Sequence, residues 1–526
     1  MDEINEIGKI AVRGGFFLLI GSFSSTAILA LSSIIIARLL GPENYGLYTV
    51  ILIMPNFLVS ICDFGISPSL TRYLSRLKKD GQMESIKELI YTGIILKILI
   101  TLLLTNILLL FSNEISTFIL NRTNINLLIQ STSLYFIGIA LLNTINSILI
   151  GLDEMVKKSI LININSLSRL FLSSTLIIIG YNVLGGLLGA GISLIFTSLL
   201  GLILLLRFLK TYEIKNFIKN FYKSINTILN YGMPLYFSSI FLSFEGQIQK
   251  FLMAHYATNV DIGNFAIALN LTMLINIIVT SITSSIFPAF SKIEKERNLL
   301  TLKYAFKLSV KYISYIIVPS TMALLFISNN IIQILYGEKY QIAPFYLSLY
   351  LLSFLTIGIG KYVIEPFLNG QGETKITLKI NFINLVIALI SSLILTPQFK
   401  ITGIIISIII SQIFSTIYGL IKLHDKYKFT INITSSFKIF IASIISGLIS
   451  LFLKDKIIIN NIIIETIFFT ISYLILFLFI SALIKTLDIY DLNNIEKLTK
   501  DIPILSILIK YFIKIQIIIN PSITQQ

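Results

Sequence analysis

The sequence has few of the residues that enzymes and metal proteins use for chemistry. It contains one cysteine, Cys62, and two histidines, His255 and His424, among 526 residues. A single cysteine excludes an intrachain disulfide and a cysteine metal cluster, and two histidines are too few for a histidine metal site. No Gly-x-x-x-x-Gly-Lys-Ser/Thr run is present to hold phosphates, so any pumping does not use ATP hydrolysis by this chain. We therefore expect no cofactor and no bound metal.

Charged residues are also scarce, at 13% of the chain against roughly 25% in a soluble domain. Hydrophobic residues make up 55%, and the mean hydropathy is +0.88. This composition is typical of an all-α integral membrane protein, in which a run of ~20 apolar residues spans the hydrocarbon core. We predict fourteen such transmembrane segments, near residues 14–37, 45–69, 89–111, 126–150, 160–180, 184–206, 229–253, 262–289, 306–328, 344–366, 376–396, 402–421, 437–453 and 461–484.

Lysine and arginine residues are distributed unevenly between successive loops. With the N-terminus inside, the predicted cytoplasmic segments carry 31 of the 41 and the outer loops carry six. Cytoplasmic loops are enriched in these residues, so we predict a multi-pass protein of the cell membrane with both termini cytoplasmic. The net charge of +15 then reflects this bias and an attraction to anionic membrane lipids, rather than nucleic-acid binding.

Residues 485–526 are predicted to form a cytoplasmic amphipathic tail. The segment 502–520 is apolar, but it contains Pro503 near its start and carries Lys510 and Lys514 on one helical face. We interpret it as an interfacial helix on the cytoplasmic leaflet. The alternative is a fifteenth span, which would place lysine near the bilayer centre at a cost of about 2.5–3.5 kcal/mol.

A turn between the first two apolar segments has a counterpart later in the chain. Ala37-Arg-Leu-Leu-Gly-Pro-Glu-Asn-Tyr-Gly-Leu-Tyr48 contains Gly41-Pro42, which ends a helix because proline cannot continue it and glycine permits a left-handed exit. Alone, this turn predicts only a tight hairpin between two spans. Ala254-His-Tyr-Ala-Thr-Asn-Val-Asp-Ile-Gly-Asn-Phe265 has the same design 217 residues later, with Gly263 in the place of Gly46.

A second pair of segments recurs at nearly the same offset. Gly151-Leu-Asp-Glu-Met155 matches Gly370-Gln-Gly-Glu-Thr374 at 219 residues, so that Glu154 corresponds to Glu373. Internal repeats of this length are common in secondary transporters. We predict an N-terminal bundle, a C-terminal bundle, an extra helix pair and the tail, over residues 1–225, 226–425, 426–484 and 485–526.

Ionisable side chains inside the predicted spans are the candidates for function, because their burial in a membrane is costly. Arg169 lies nine residues into the fifth segment, ~14 Å along the helix and close to the membrane midplane. Its functional interpretation is a cation that faces a central cavity and holds an anionic head group. The alternative is an arginine that bonds neighbouring carbonyls and serves only packing.

Two lysines and two acids lie in other spans. Lys97 is in the inner half of the third segment, and Asp63 is in the inner third of the second. Lys250 and Glu245 share the seventh segment, toward its outer end. The two lysines can also extend their ammonium groups to the membrane surface, a placement that needs no function.

Lys361 and Glu365 lie four residues apart in the tenth segment. Side chains at this spacing share one face of a helix, so we expect the two to form an ion pair. A pair of this kind stabilises the helix without a role in transport, and this is the simpler interpretation of the two residues.

The chain resembles the polysaccharide-transporter, or oligosaccharide-lipid flippase, family of the multidrug/oligosaccharidyl-lipid/polysaccharide exporter superfamily. The matching stretches are the turn Ala37–Tyr48, Asp63-Phe-Gly-Ile-Ser-Pro-Ser-Leu-Thr-Arg72, and Ile334-Leu-Tyr-Gly-Glu-Lys-Tyr340 with Ala343. Fourteen spans, in two related halves plus an extra pair, complete the resemblance, which covers most of residues 10–425. Each motif is short, and the order and spacing of the motifs carry the specificity.

The resemblance implies two six-helix bundles around a central cavity that opens alternately to the two sides of the membrane. The implied substrate is an oligosaccharide on a polyprenyl phosphate or diphosphate, moved from the cytoplasmic to the outer leaflet for surface polysaccharide or glycoprotein assembly. A wet cationic cavity would shelter its sugar–phosphate head. Candidates for the phosphate are Arg169, Lys97, Lys250 and Lys361, and candidates for a coupling cation or proton are Asp63 and Glu245.

Further expectations follow from the same resemblance. Coupling to a sodium or proton gradient takes the place of a cofactor, glycan-assembly enzymes are expected partners, and a monomer suffices because each chain holds both halves. The alternative within transport is a cation-coupled multidrug/toxin extruder of the same superfamily, which usually has twelve spans. The enzyme alternative is a membrane glycan polymerase or ligase. Such enzymes typically have a long outer loop with catalytic groups, which this chain lacks, so we expect a transporter and not an enzyme.

Overall fold

A computed structural model describes residues 2–209, 217–293, 299–457 and 460–499, together with Ile513 and Gln516. Regular structure in this part of the chain is helical, which confirms the predicted all-α class. The chain divides into two compact units, Met1–Ala266 and Ile267–Gln526. The predicted boundaries at 225, 425 and 484 stay a prediction.

The first unit holds nine helices and the beginning of a tenth, within the described residues. Their bounds are α1 Asp2–Ile51, α2 Ile53–Ile61, α3 Ile66–Lys79, α4 Met83–Leu110, α5 Ser112–Glu114, α6 Asn126–Gly151, α7 Met155–Leu176, α8 Asn182–Leu209, α9 Phe217–Tyr256 and α10 Asn259–Ser291. Short π-helical turns follow α5 and α7, at Ile115–Ile119 and Ile177–Tyr181.

The second unit contains the rest of α10 and eight further helices among the residues described. These are α11 Leu299–Phe326, α12 Ser328–Tyr336, α13 Ala343–Leu351, α14 Lys361–Gly370, α15 Thr374–Tyr427, α16 Ile433–Lys456, α17 Ile462–Leu483 and α18 Ile489–Thr499. A 3₁₀ segment, Leu352–Ile359, connects α13 to α14.

Nine helical segments of the described chain are long and apolar enough to cross a membrane, or ten if the bent pair formed by α13 and α14 is one span. Three of them, of 42, 53 and 54 residues, are much longer than the ~20 residues that one crossing needs. Each of the three contains non-helical backbone, at Gly41, Gly180 and Lys400 respectively. The predicted turn at Gly41 is thereby confirmed, whereas the total of fourteen spans stays a prediction.

The helices pack through an apolar interior and expose apolar side chains outward. In the first unit, α3 and α4 contribute Leu70 and Ile90 to a core that also contains Ile145 of α6, and these three side chains are fully buried. Other large side chains are open to the surroundings, including Leu110 at 77% and Phe118 at 79% exposure. Exposed apolar surface on long helices is what a lipid environment favours.

The two sequences that recur at an offset of 219 have the same backbone structure. In the first copy the N–H of Glu154 donates to Leu149 O at 2.8 Å, and in the second the N–H of Glu373 donates to Leu368 O at 2.8 Å. The residue before each glutamate has a left-handed backbone, with φ 56° at Asp153 and φ 75° at Gly372. Each glutamate then precedes a long helix, α7 or α15. The local structure therefore repeats where the sequence does.

The described part of the tail is docked against a helix of the second unit. Lys311 of α11 pairs with Asp488 at 3.3 Å and with Asp491, which also accepts a hydrogen bond from the Tyr312 hydroxyl at 3.1 Å. Burial raises the pKa of Asp491, and the ammonium of Lys311 opposes that rise. These contacts hold the start of α18 against α11.

Most of the predicted interfacial helix over 502–520 lies outside the described residues. Within it, Ile513 and Gln516 are described, and both are buried. The Gln516 side-chain amide donates to Leu478 O of α17 at 3.0 Å. At this residue the tail contacts the last predicted span directly.

Candidate functional site in the broken helices

The second predicted span is broken in its inner third. Helix α2 ends at Ile61, and α3 begins at Ile66. Between them Phe64 and Gly65 have left-handed backbone, with φ 44° and 74°. A break frees carbonyl oxygens that lipid cannot satisfy, so protein groups must bond them. The Tyr236 hydroxyl donates to Ile61 O at 2.7 Å.

An ion pair lies within this break. Lys97 of α4 is 1% exposed, and its ammonium lies 3.0 Å from Asp63 Oδ1 and 3.3 Å from Cys62 O. The alternative in which Lys97 extends its ammonium to the membrane surface is wrong, because the partly exposed Asp63 carboxylate and a backbone carbonyl bind that ammonium within the helix bundle. The Ser67 hydroxyl also donates to Asp63 Oδ1, at 2.5 Å. Lys97 and Asp63, predicted for separate roles, thus form one pair.

Helix α9 packs closely on the broken segment. A Cβ added at Gly65 would lie 2.1 Å from Gly232 O, so the two backbones touch with no room for a side chain. The ring of Tyr236 stacks on Phe64 with 5.0 Å between centroids. The Ser69 hydroxyl donates to Ile228 O at 2.8 Å. The break is therefore held by α4 on one side and by α9 on another.

Arg169 is half-buried within the first unit, among tyrosine side chains. Its guanidinium donates to the Tyr48 hydroxyl at 2.9 Å, and Tyr45 and Tyr135 are within electrostatic range. Among the described residues, no carboxylate forms an ion pair with Arg169. The hydrogen-bond partner of Arg169 is thus a neutral hydroxyl, whereas the packing interpretation predicted backbone carbonyls. Within the part of the chain that the structure describes, a positive charge near the predicted midplane is thus left without a compensating carboxylate.

The tenth predicted span is broken as well. The chain bends by 49° between the 3₁₀ segment and α14, at Gly360, whose φ is 85°. Lys361 and Glu365 lie just after this bend, and their charged atoms are 3.9 Å apart, which confirms the predicted pair. The Lys361 ammonium also donates to the Ser415 hydroxyl at 3.4 Å.

The two breaks do not occupy equivalent positions of the repeat. At the offset of 217, Asp63 corresponds to Thr280, which lies inside the uninterrupted helix α10. At the offset of 219, Gly360 corresponds to Leu141, inside the uninterrupted helix α6. Each predicted half therefore has a broken span of its own, and each break lies beside a lysine–carboxylate pair.

The two remaining predicted residues, Lys250 and Glu245, belong to neither of these lysine–carboxylate pairs. Lys250 is exposed on α9 and forms no ion pair among the described residues, while Glu245 is half-buried. Their roles in phosphate binding and cation coupling stay a prediction.

Sequence reasoning missed Arg122, in the predicted outer loop before α6. Its guanidinium donates to Asn259 Oδ1 at 2.8 Å and to Ala257 O at 2.6 Å, at the turn between α9 and α10. The neighbouring Asn121 amide donates to His255 O at 3.1 Å. Partial burial lowers the pKa of Arg122. The sequence signal was an arginine on the side of the membrane where few cations are predicted.

Near this turn, the two glycines matched by the repeat touch each other. A Cβ on Gly46 would lie 1.7 Å from Asn259 O, and a Cβ on Gly263 would lie 2.1 Å from Pro42 O. Because Pro42 and Asn259 are also 217 residues apart, the two contacts are reciprocal. Reciprocal contacts of this kind arise at an axis that relates two similar surfaces by a two-fold rotation.

Comparison with known proteins gives relatives along most of the chain. A family model described as "Polysaccharide biosynthesis protein" matches residues 11–294. An uncharacterized membrane protein of Methanocaldococcus jannaschii is 22% identical, over 92% of this chain and 97% of its own length. A protein named as an O-antigen transporter in Shigella dysenteriae is 24% identical, over 55% of this chain and 70% of its own.

Solved structures share the fold. The lipid II flippase MurJ, in an inward closed conformation, superposes with a TM-score of 0.69 at 18% identity, over 89% of this chain and 99% of that one. An inward-facing multidrug resistance MATE transporter of the MOP superfamily superposes with a TM-score of 0.60 at 18% identity, over 77% and 94%. The relatives with a named activity are transporters and flippases, in agreement with the expectation of a transporter and not an enzyme. The chain belongs to the polysaccharide biosynthesis protein family, and it is a multi-pass membrane protein with the fold of MOP-superfamily transporters.

Proposed function

We propose that this protein is a flippase for an oligosaccharide linked to a polyprenyl phosphate or diphosphate. It moves the head group from the cytoplasmic to the outer leaflet of the cell membrane by alternating access, while the polyprenyl tail stays in the lipid. Family membership, the O-antigen transporter relative and the fold shared with a lipid II flippase support this proposal.

The observation that carries the proposal is the uncompensated charge of Arg169. A cation inside a membrane is stable only with an anionic or strongly polar partner, and the described residues offer Arg169 the Tyr48 hydroxyl and no carboxylate. A guanidinium also binds phosphate oxygens through two parallel hydrogen bonds. Arg169 is therefore suited to an anionic head group, and a cationic drug would be repelled from it.

The other candidate cations fit this function to different extents. Lys361 has Glu365 beside it at 3.9 Å, a loose pair from which a phosphate can recruit the ammonium. Lys250 is exposed on α9 and forms no ion pair among the described residues, so its ammonium is not committed to a carboxylate there. Glu245 stays the second candidate, besides Asp63, for a coupling cation.

The direct test is transport in proteoliposomes of a short, fluorescent polyprenyl-diphosphate-linked sugar, followed by quenching of the probe in the outer leaflet. We expect the wild type to flip the probe and Arg169→Ala to slow it by about 10–100-fold, since a hydrogen bond to a charged group contributes roughly 1.5–3 kcal/mol. Arg169→Lys keeps the charge but not the bidentate geometry, so we expect an intermediate rate. Lys79→Ala, on an exposed lysine without an ion pair in the described chain, is the control.

Two results would reject the proposal in different ways. Equal flipping rates for Arg169→Ala and the wild type would show that Arg169 does not bind the head group, but the protein would still be a flippase. A wild-type protein that leaves the lipid in place and expels cationic dyes against a sodium or proton gradient would instead be the multidrug extruder, and Glu245 and Asp63 would then be the residues to substitute.

A further inference from the structure

A cavity of about 300 Å³ lies in the second unit, in the predicted outer loop between the ninth and tenth spans. Its walls come from α12 and from the turn at residues 337–341, so it includes the end of the 334–340 motif that carries part of the family resemblance. The proposed function gives this motif no task. We propose that the cavity is a glycan-binding site, which takes one neutral sugar ring of the oligosaccharide through its hydroxyl groups. The inference rests on the proposed function for the source of the sugar.

The turn that closes the cavity is determined locally. Helix α12 ends at Tyr336 because Gly337 takes a φ of 87°, a backbone that favours glycine. The N–H of Gly337 donates to Gln333 O at 3.0 Å. Tyr340 is buried, and its ring meets that of Tyr336 edge-on with 6.1 Å between centroids. These contacts hold the turn against α12, and the cavity lies between them.

The position of α12 is fixed by contacts with two other helices. The buried Asn330 donates its side-chain amide to Thr466 Oγ1 at 3.2 Å and to Glu465 Oε1 at 3.4 Å, both in α17. The hydroxyls of Ser328 and Ser348 are 3.1 Å apart and join α12 to α13. A site on a helix that is fixed in this way needs little ordering to bind a ligand, which favours affinity.

The lining combines three amides and one carboxylate with apolar side chains. The polar members are Asn329, Gln333, Glu338 and Gln341, and the apolar ones include Ile332 and Tyr340. The Gln333 amide donates to Glu338 Oε1 at 2.9 Å, which orients both groups. In the part of the chain that the structure describes, Asn329 and Gln341 form no side-chain hydrogen bond. Their amides are therefore available to a ligand.

This set of groups suits the hydroxyls of a sugar. Each amide carries donors and an acceptor, a carboxylate carries acceptors, and each sugar hydroxyl can both donate and accept. Small-molecule sites have this character, with an apolar wall and a few polar groups that orient the ligand, and their volumes begin at roughly 300 Å³. The apolar side chains of Ile332 and Tyr340 suit the C–H groups of a sugar ring.

Charged ligands fit the cavity less well. The lining contains no lysine or arginine among the described residues, and the carboxylate of Glu338 would repel a phosphate. Calcium takes about 6–8 oxygen ligands, often from several carboxylates, whereas Glu338 is the one acidic residue in the described lining. The cavity therefore recognises a different part of the substrate from Arg169, whose proposed ligand is the phosphate.

The test measures binding of methyl glycosides to the full-length protein in phosphatidylcholine vesicles, which contain neither sugar nor tryptophan. The chain itself has no tryptophan, so Ile342→Trp provides a single fluorescent reporter on an exposed side chain beside Gln341. The probes are the methyl glycosides of glucose, galactose, mannose and N-acetylglucosamine, at millimolar concentrations. We expect at least one of them to change the fluorescence saturably. In this background Gln333→Ala and Glu338→Ala should weaken binding about fivefold to tenfold, because each removes a hydrogen bond.

The matched control is Glu114→Ala, which removes an exposed carboxylate in a predicted outer loop of the first unit and should leave glycoside binding unchanged. Where Gln333→Ala does not fold, Gln341→Ala tests an exposed amide of the lining and should weaken binding as well. Binding that none of the lining substitutions weakens would overturn the inference. A response to calcium chloride alone, with none to any glycoside, would also overturn it.

Flipping of the lipid-linked probe, measured with the same protein, separates this inference from the proposed function. Flipping without binding of any glycoside would overturn the glycan site and leave the flippase standing. Glycoside binding that the lining substitutions weaken, in a protein that does not flip the probe, would support the site and reject the proposed function.

Discussion

Arg122→Ala should loosen the contact between the loop before α6 and the turn between α9 and α10. Arg122 makes two hydrogen bonds across this contact, to Asn259 Oδ1 at 2.8 Å and to Ala257 O at 2.6 Å. Asn121 adds a third bond, from its side-chain amide to His255 O at 3.1 Å. The substitution removes the first two and leaves the third in place.

The size of the effect follows from the number of bonds and their exposure. A hydrogen bond to a charged group contributes roughly 1.5–3 kcal/mol to stability. The loss of stability is smaller when water can bond the acceptor after the donor is removed. Because Arg122 is only half-buried, both acceptors are within reach of water once the side chain is gone. Two such bonds would contribute roughly 3–6 kcal/mol when fully buried, and the return of water reduces this to an expected loss of about 2–3 kcal/mol in the free energy that holds this contact together.

A double-mutant cycle on the purified protein measures this coupling. The variants are Arg122→Ala, Asn259→Ala and the combination, and the readout is the midpoint of thermal unfolding in detergent, converted to free energy. We expect an interaction energy of about 1 kcal/mol between Arg122 and Asn259, which is within the range for residues in direct contact. Arg38→Ala, which removes a cation from the preceding predicted outer loop, serves as the comparison.

The same variants report on transport. In the proposed alternating-access cycle this contact opens on the predicted outer side, so we expect a weaker contact to shift the population toward outward-open forms. Labelling of a cysteine placed at the neighbouring exposed position 256, in a Cys62→Ser background, should become faster in Arg122→Ala. Additive stability effects together with unchanged labelling would refute the reasoning, because the hydrogen bonds would then not control this contact.

Two further predictions concern backbone packing and the tail. Gly65→Ala should lower the unfolding temperature far more than Gly81→Ala: both glycines have φ near 70°, but an added Cβ at Gly65 meets Gly232 O at 2.1 Å, whereas Gly81 has nothing within 4 Å. Equal effects would show that backbone strain, not the contact with α9, dominates at Gly65. Lys311→Ala should release α18 and increase its cleavage in limited proteolysis, because Asp491 loses its cationic partner. Cleavage at the wild-type rate would show that the apolar contacts of α18 alone hold it in place.

Local features were predictable from the sequence because a few neighbouring residues determine them. The helix end at Gly41, the matching turns before Glu154 and Glu373, and the pair Lys361–Glu365 each depend on residues at most five apart. Tertiary features were not predictable. Lys97 and Asp63 are 34 residues apart on separate elements, so no helical periodicity connects them.

The break in the second span was missed for a related reason. Glycine is common in transmembrane helices, where it also allows close packing. Gly65 alone therefore does not show whether the helix is broken or only closely packed there. The second left-handed residue is Phe64, for which this backbone is rare, and its conformation depends on stacking against Tyr236 of a distant helix. Arg122 was missed because its partners at Ala257 and Asn259 are more than 130 residues away.

The unequal positions of the two broken spans have a consequence for how such a molecule can be built. Two identical subunits would have to carry the break at Asp63 in both copies or in neither, because one sequence serves both positions. A single chain that contains two related halves is free of that constraint. One half can carry Asp63 and Lys97 while its counterpart keeps Thr280 in an uninterrupted helix, so covalent fusion allows two similar halves to differ in structure at matching positions.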